Sequence, residues 1–75
     1  MKNTETVIGA YPFCNIGAVL IHAIDEAEDR VLASINGKDA AWCDVTEEYV
    51  EATEELECGF RFGKWFIPFS EVMRV

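Results

Sequence analysis

Cys43, His22 and Asp44 have the side-chain types of a nucleophile, a general base and the acid that orients the base. A thiol is activated when a histidine lies within hydrogen-bond distance of it. His22, however, stands between Leu20 and Ile24 in an apolar stretch, where a single histidine is more often a packed residue than a base. A chain of 75 residues also has little room for a substrate pocket of several hundred Å³. We therefore predict no catalytic residues and a protein that is not an enzyme.

Metal-ligand residue types are present, but without the spacing of a metal site. The acids between residues 25 and 29 could offer oxygen atoms to Ca²⁺, yet they lack the DxDxDG order and the distal Glu of an EF-hand loop. Cys14, Cys43 and Cys58 form no CxxC pair, and one histidine is too few for a usual zinc site. The sequence thus predicts free thiols, no metal ion and no cofactor.

The distribution of charge is the strongest signal in the chain. Eight of the fourteen acids and no Lys or Arg lie between residues 39 and 60, while the acids and bases elsewhere cancel, so the net charge of −8 comes from this segment. Such a charge repels nucleic acids and anionic membranes and attracts basic surfaces. We predict a non-catalytic interaction or inhibitor module that docks on a basic protein surface. The carboxylates assigned to that contact are Glu47, Glu48, Glu51, Glu54 and Glu55.

A rival prediction places the function in the aromatic stretch that follows. Arg61, Lys64 and Trp65 combine cations with a ring on which a base could stack, so they are the candidate site of a nucleic-acid-binding small β-barrel. Five aromatic residues lie between positions 60 and 69. If the core does not bury them, they would form the interface of a homodimer.

Side-chain alternation predicts an antiparallel meander in the first half of the chain. Residues 16–24 are apolar on both faces, which is typical of a central strand, and residues 30–35 form the second strand. Asn36-Gly37 then predicts a tight hairpin, because both central residues of a type I′ turn need a positive φ. Residues 40–43 would return as the third strand.

Residues 44–57 follow the spacing of an amphipathic helix. Asp44 and Glu47 fit a capping box, and Gly59 stands where a helix commonly ends. Acids four residues apart repel one another, so such a helix would depend on packing of its apolar face. If that packing fails, the segment becomes an acidic loop. The residues of the predicted apolar face are Val45, Tyr49, Ala52 and Leu56.

The last part of the chain predicts a second hairpin. Residues 60–62 and 65–67 alternate, and Gly63-Lys64 between them suits a type II′ turn. The predicted fold class is therefore α+β: a small antiparallel sheet, made of the three-stranded meander and this hairpin, with one acidic amphipathic helix. The alternative is an all-β small barrel of SH3-like type.

Composition is that of a single folded domain spanning residues 1–75, with residues 1–6 disordered. Apolar residues make up 51% and charged residues 27% of the chain, which is typical of a globular protein. No apolar run approaches the roughly 20 residues of a membrane-spanning helix, and residues 1–6 are too polar for a signal peptide. We expect a cytoplasmic protein.

Overall fold

The computed structural model describes residues 6–13 and 17–75, and it places them in one curled antiparallel sheet of seven strands with the order β6-β5-β4-β3-β2-β1-β7. A short 3-10 helix, Phe69–Glu71, connects β6 to β7. Residues 1–5, which carry most of the predicted disordered segment, lie outside the described residues. The strands are β1 (Gly9–Phe13), β2 (Gly17–Asp25), β3 (Arg30–Ile35), β4 (Lys38–Val50), β5 (Glu55–Phe62), β6 (Trp65–Pro68) and β7 (Met73–Arg74).

The prediction of an α+β fold is wrong, and the all-β alternative fits. Residues 44–57 form no helix: the end of β4, a four-residue turn and the start of β5 occupy them. Gly59 does not end a helix either, because it lies buried within β5 opposite Pro68. A Cβ atom at Gly59 would clash with the backbone carbonyl oxygen of Ile67 and would lie 2.8 Å from the Phe66 ring, so the glycine allows the backbone of β6 to lie close to β5 at this position.

Both predicted tight turns are present. Asn36 and Gly37 have φ values of 55° and 87°, as a type I′ turn requires. Gly63 has a φ of 63°, and Lys64 is not among the residues with positive φ, which agrees with type II′. The Asn36 side chain also accepts a hydrogen bond from the Ala18 N–H at 3.0 Å, which fixes this turn against the start of β2.

The third strand of the meander, β4, is longer than predicted and spans 13 residues. The first half of β4 pairs with β3, from Lys38 to Asp44, and its second half pairs with β5, from Val45 to Val50. This change of partner lets the sheet curl. At the other side of the sheet β7 pairs with β1, so the chain returns to its first strand after the 3-10 helix.

The core lies on the concave face of the curled sheet. Phe60 and Ile67 are fully buried there, and the Phe69 ring packs on Phe60 with 5.8 Å between centroids. Burying a large apolar side chain stabilises a fold by about 1.5–3 kcal/mol, so these contacts hold the 3-10 helix on β5. The buried apolar residues are Val19, Ile21, Val31, Ala33, Cys43, Phe60 and Ile67.

Candidate protein-binding surface

The acids predicted to bind a partner lie around a β-hairpin, which we call the acidic hairpin: residues 45–60, made of the second half of β4, the turn 51–54 and most of β5. Glu47 lies on the face of the sheet that carries Val45, and Glu48 lies on the opposite face. Glu51 and Glu54 are in the turn, and Glu55 begins β5. The five carboxylates therefore surround the hairpin instead of forming one helical face.

One of these carboxylates has a cationic neighbour. Glu48 Oε2 lies 3.4 Å from Arg61 Nε and accepts a hydrogen bond of 3.3 Å from the Thr46 hydroxyl. Both charged side chains are well exposed, so the pair contributes little to stability. Among the described residues, no ion pair involves Glu47, Glu51, Glu54 or Glu55.

An exposed apolar pair lies on the face of the hairpin that carries Glu47, next to the turn 51–54. Tyr49 and Leu56 are direct cross-strand partners, and they are 60% and 63% exposed. Both belong to the apolar face of the predicted helix, and of that face only Val45 packs against the core. Sequence reasoning placed Tyr49 and Leu56 in the core and so missed them as surface residues.

Antiparallel topology brings a second acidic segment to the same end of the molecule. The β2–β3 loop and the β4–β5 turn lie at one end of the sheet, because alternate hairpins open in the same direction. The loop contacts the base of the acidic hairpin, where the Val45 N–H donates to the Asp29 carbonyl at 2.9 Å. This second acidic segment consists of Asp25, Glu26, Glu28 and Asp29.

The three residues of the nucleic-acid alternative do not share a surface. Arg61 pairs across the sheet with Phe66 and extends toward Glu48, whereas Trp65 pairs with Phe62 on the other face. Lys64 lies in the turn between them, with its ammonium 5.5 Å from the Trp65 ring centroid. A base stacked on Trp65 would thus meet Lys64 but not Arg61.

Most of the aromatic side chains between residues 60 and 69 are buried or partly buried. Phe60 is buried, Phe69 packs on it, and Phe62 and Phe66 are partly buried, while Trp65 is 38% exposed. A homodimer through these aromatics stays a prediction, with Trp65 as its most exposed candidate.

His22 and Cys43 bind different partners and do not form the pair that a triad needs. The His22 ring lies between the Thr6 carbonyl and the Ser34 hydroxyl, each 2.7 Å from a ring nitrogen, and the Gly37 N–H donates to the same hydroxyl. Because a carbonyl only accepts, Nδ1 donates to Thr6, and Nε2 faces the Ser34 hydroxyl. This chain of hydrogen bonds satisfies a buried polar pair and ties the segment before β1 to the β3–β4 turn.

The thiols have the environments of ordinary cysteines. Burial, and secondly the neighbouring Asp44 carboxylate, raise the pKa of the Cys43 thiol, which is opposite to the shift that activates a nucleophile. Cys58 is exposed, and both are free; Cys14 lies outside the described residues. No group of three or more metal-ligating side chains occurs within 6–13 and 17–75.

Glu57 joins the acidic hairpin to the rest of the sheet. Its carboxylate accepts hydrogen bonds of 2.6 Å from the hydroxyls of Ser70 and Thr53. These two bonds, with Ser70 the larger influence, lower the pKa of the Glu57 carboxyl. The Glu57 carboxylate therefore links the turn 51–54 to the 3-10 helix.

Comparison with protein-family models, with curated proteins and with solved structures gives no match for this chain. Within the described part of the chain, no helix has the length and apolar character needed to cross a membrane.

Proposed function

We propose that this protein is a non-catalytic interaction module that binds a basic protein surface through its acidic hairpin. The observation that carries the proposal is the exposed Tyr49–Leu56 pair, which shares its face of the hairpin with Glu47 and adjoins the acidic turn 51–54. Among the described residues, Glu47 and the two turn acids form no ion pair. Protein interfaces commonly combine an apolar anchor with a polar rim, and aromatic residues are enriched in the anchor.

Charge and apolar contact have different roles in this proposal. The carboxylates of the acidic hairpin attract a basic partner over long range, and this attraction weakens as salt is added. Tyr49 and Leu56 supply the area that becomes buried in the complex, because both are already exposed on a hydrogen-bonded strand pair. A rigid hairpin loses little conformational entropy on binding.

The experiment compares matched variants against one purified partner. A basic protein captured at low salt is titrated with wild type, with Tyr49→Ser/Leu56→Ser, and with Glu47→Gln/Glu55→Gln. We expect each double variant to weaken binding about tenfold or more, since truncating one interface anchor commonly costs more than 1 kcal/mol.

The control is Glu26→Gln/Glu28→Gln, which removes the same charge from the neighbouring β2–β3 loop and leaves the hairpin intact. It should weaken binding much less than Glu47→Gln/Glu55→Gln. Equal weakening by the two charge variants, or full affinity in Tyr49→Ser/Leu56→Ser, would show that the acidic hairpin is not the contact surface.

A further inference from the structure

The concave face of the sheet contains an open cavity of about 480 Å³ that lies outside the acidic hairpin. Its walls come from the segment leading into β1, from β2, and from the 3-10 helix and β7. This volume is within the range of small-molecule sites. The apolar side chains of the lining are Ile8, Ile21, Ile24, Phe69, Val72 and Val75.

Close packing of β1 gives the cavity its shape. A Cβ atom at Gly9 would lie only 2.8 Å from Val72 Cγ1, so the glycine lets Val72 approach the strand. Ile8 and Ile24 stay 39% and 51% exposed at the rim. The cavity thus offers apolar surface that the described part of the chain leaves uncovered.

Among the described residues that line the cavity, Arg74 alone has a charged side chain. It pairs with Gly9 across β1 and β7, and it takes part in no ion pair among the described residues. Two acids adjoin the lining in sequence, Asp25 beside Ile24 and Glu71 beside Val72. Asp25 lies 4.0 Å from Arg30. A guanidinium presents a planar fork of N–H donors that matches a carboxylate.

We propose that this cavity binds an amphipathic anion, namely a carboxylate with a medium-length alkyl chain. The carboxylate lies on the Arg74 guanidinium, and the alkyl chain covers Ile21, Ile24 and Val72. Each buried methylene adds about 0.8 kcal/mol, so affinity rises about fourfold for each carbon until the cavity is filled.

The test is calorimetric titration with octanoate, decanoate and dodecanoate below their micelle concentrations, with decanol as the uncharged match for decanoate. Wild type should bind decanoate more tightly than octanoate and more tightly than decanol. Arg74→Gln should lose about tenfold or more in decanoate affinity, because a hydrogen bond between charged groups is lost, and should keep its affinity for decanol. Lys64→Gln removes the same charge in the β5–β6 turn, and it should bind decanoate like wild type.

Amide chemical shifts locate the ligand on the protein. Decanoate should move the signals of Ile8, Gly9 and Arg74 and leave those of Tyr49 and Leu56 in place. No binding, shifts confined to the acidic hairpin, or equal affinity of wild type and Arg74→Gln for decanoate would overturn the proposal. A concentration-dependent dimer that Ile24→Gln weakens would also overturn it, since a second copy would then cover the cavity.

Discussion

At the scale of single residues, hydrogen-bond partners decide what each polar side chain does. Glu57 belongs to the same acidic run as Glu55, but two hydroxyls bind its carboxylate, and they make it part of the fold. His22 could be placed in an apolar stretch from the sequence, whereas its bonds to Thr6 and Ser34 depend on strands brought together by folding.

The first prediction concerns the pH dependence of stability through Glu57. The pKa of Glu57 is lower in the folded protein than in the unfolded chain. Its contribution to the free energy of unfolding is therefore complete above its pKa in the unfolded chain, about 4.3, and is lost as the pH falls through its pKa in the folded protein. Glu57→Gln should therefore lose less stability than wild type when the pH is lowered from about 6 to about 3. Urea denaturation across this range measures the difference.

Two further variants test whether the hydroxyls cause that dependence. Thr53→Val/Ser70→Ala should reproduce the flatter pH profile of Glu57→Gln, since it removes both donors and keeps the charge. Glu71→Gln, which removes one charge from the 3-10 helix, should keep the wild-type profile. Identical pH profiles for wild type and Glu57→Gln would contradict the assignment.

At the scale of elements, the acidic hairpin shows why the helical spacing of residues 44–57 led to a wrong prediction. Val45 and Tyr49 are four residues apart, and this spacing puts them on one face of a helix and equally on one face of a strand. Leu56 then lies opposite Tyr49 across the turn, so three of the four helix-face residues also share a face of the hairpin. The strand is favoured because Val45 pairs with Phe60, which is fully buried.

The second prediction concerns the turn of this hairpin. Glu54 has a φ of 57°, in the left-handed region that costs a side chain such as Glu about 1–2 kcal/mol. Glu54→Gly should therefore raise the free energy of unfolding by about 0.5–1 kcal/mol, after the entropy that glycine loses on folding. Glu51→Gly removes the same charge from the same turn at a residue without positive φ, and it should not stabilise the protein. If the two variants change the free energy of unfolding equally in urea denaturation, the positive φ of Glu54 is not the cause of the effect.

At the scale of the whole molecule, the strand order places most acidic residues toward one end of the sheet and two lysines at the other end. The segment 25–29 and the acidic hairpin carry ten of the fourteen acids toward one end of the sheet, while Lys38 and Lys64 lie at the turns of the other end. Glu48 and Glu57 are even direct cross-strand partners, and like charges so placed destabilise a sheet.

The third prediction follows from this crowding of carboxylates. Raising NaCl from about 0.02 to about 0.5 M should increase the thermal midpoint, because salt screens repulsion between exposed charges. Glu26→Lys/Glu55→Lys, which adds a cation to each acidic segment, should show a smaller increase. A midpoint that falls with salt, or that rises equally in the variant, would show that repulsion at this end is not significant.

Sequence alone determined the local features of this protein: the strands β2 and β3, the turns Asn36-Gly37 and Gly63-Lys64, and the acidic segment without cations. Each depends on side-chain alternation, on backbone φ preference or on composition, which are properties of neighbouring residues. Tertiary structure decided that residues 44–57 form strands, that Tyr49 and Leu56 are exposed, and that Arg74 lines an apolar cavity. These outcomes depend on pairing between distant segments, and the burial gained by that pairing outweighs the weak local preference for a helix.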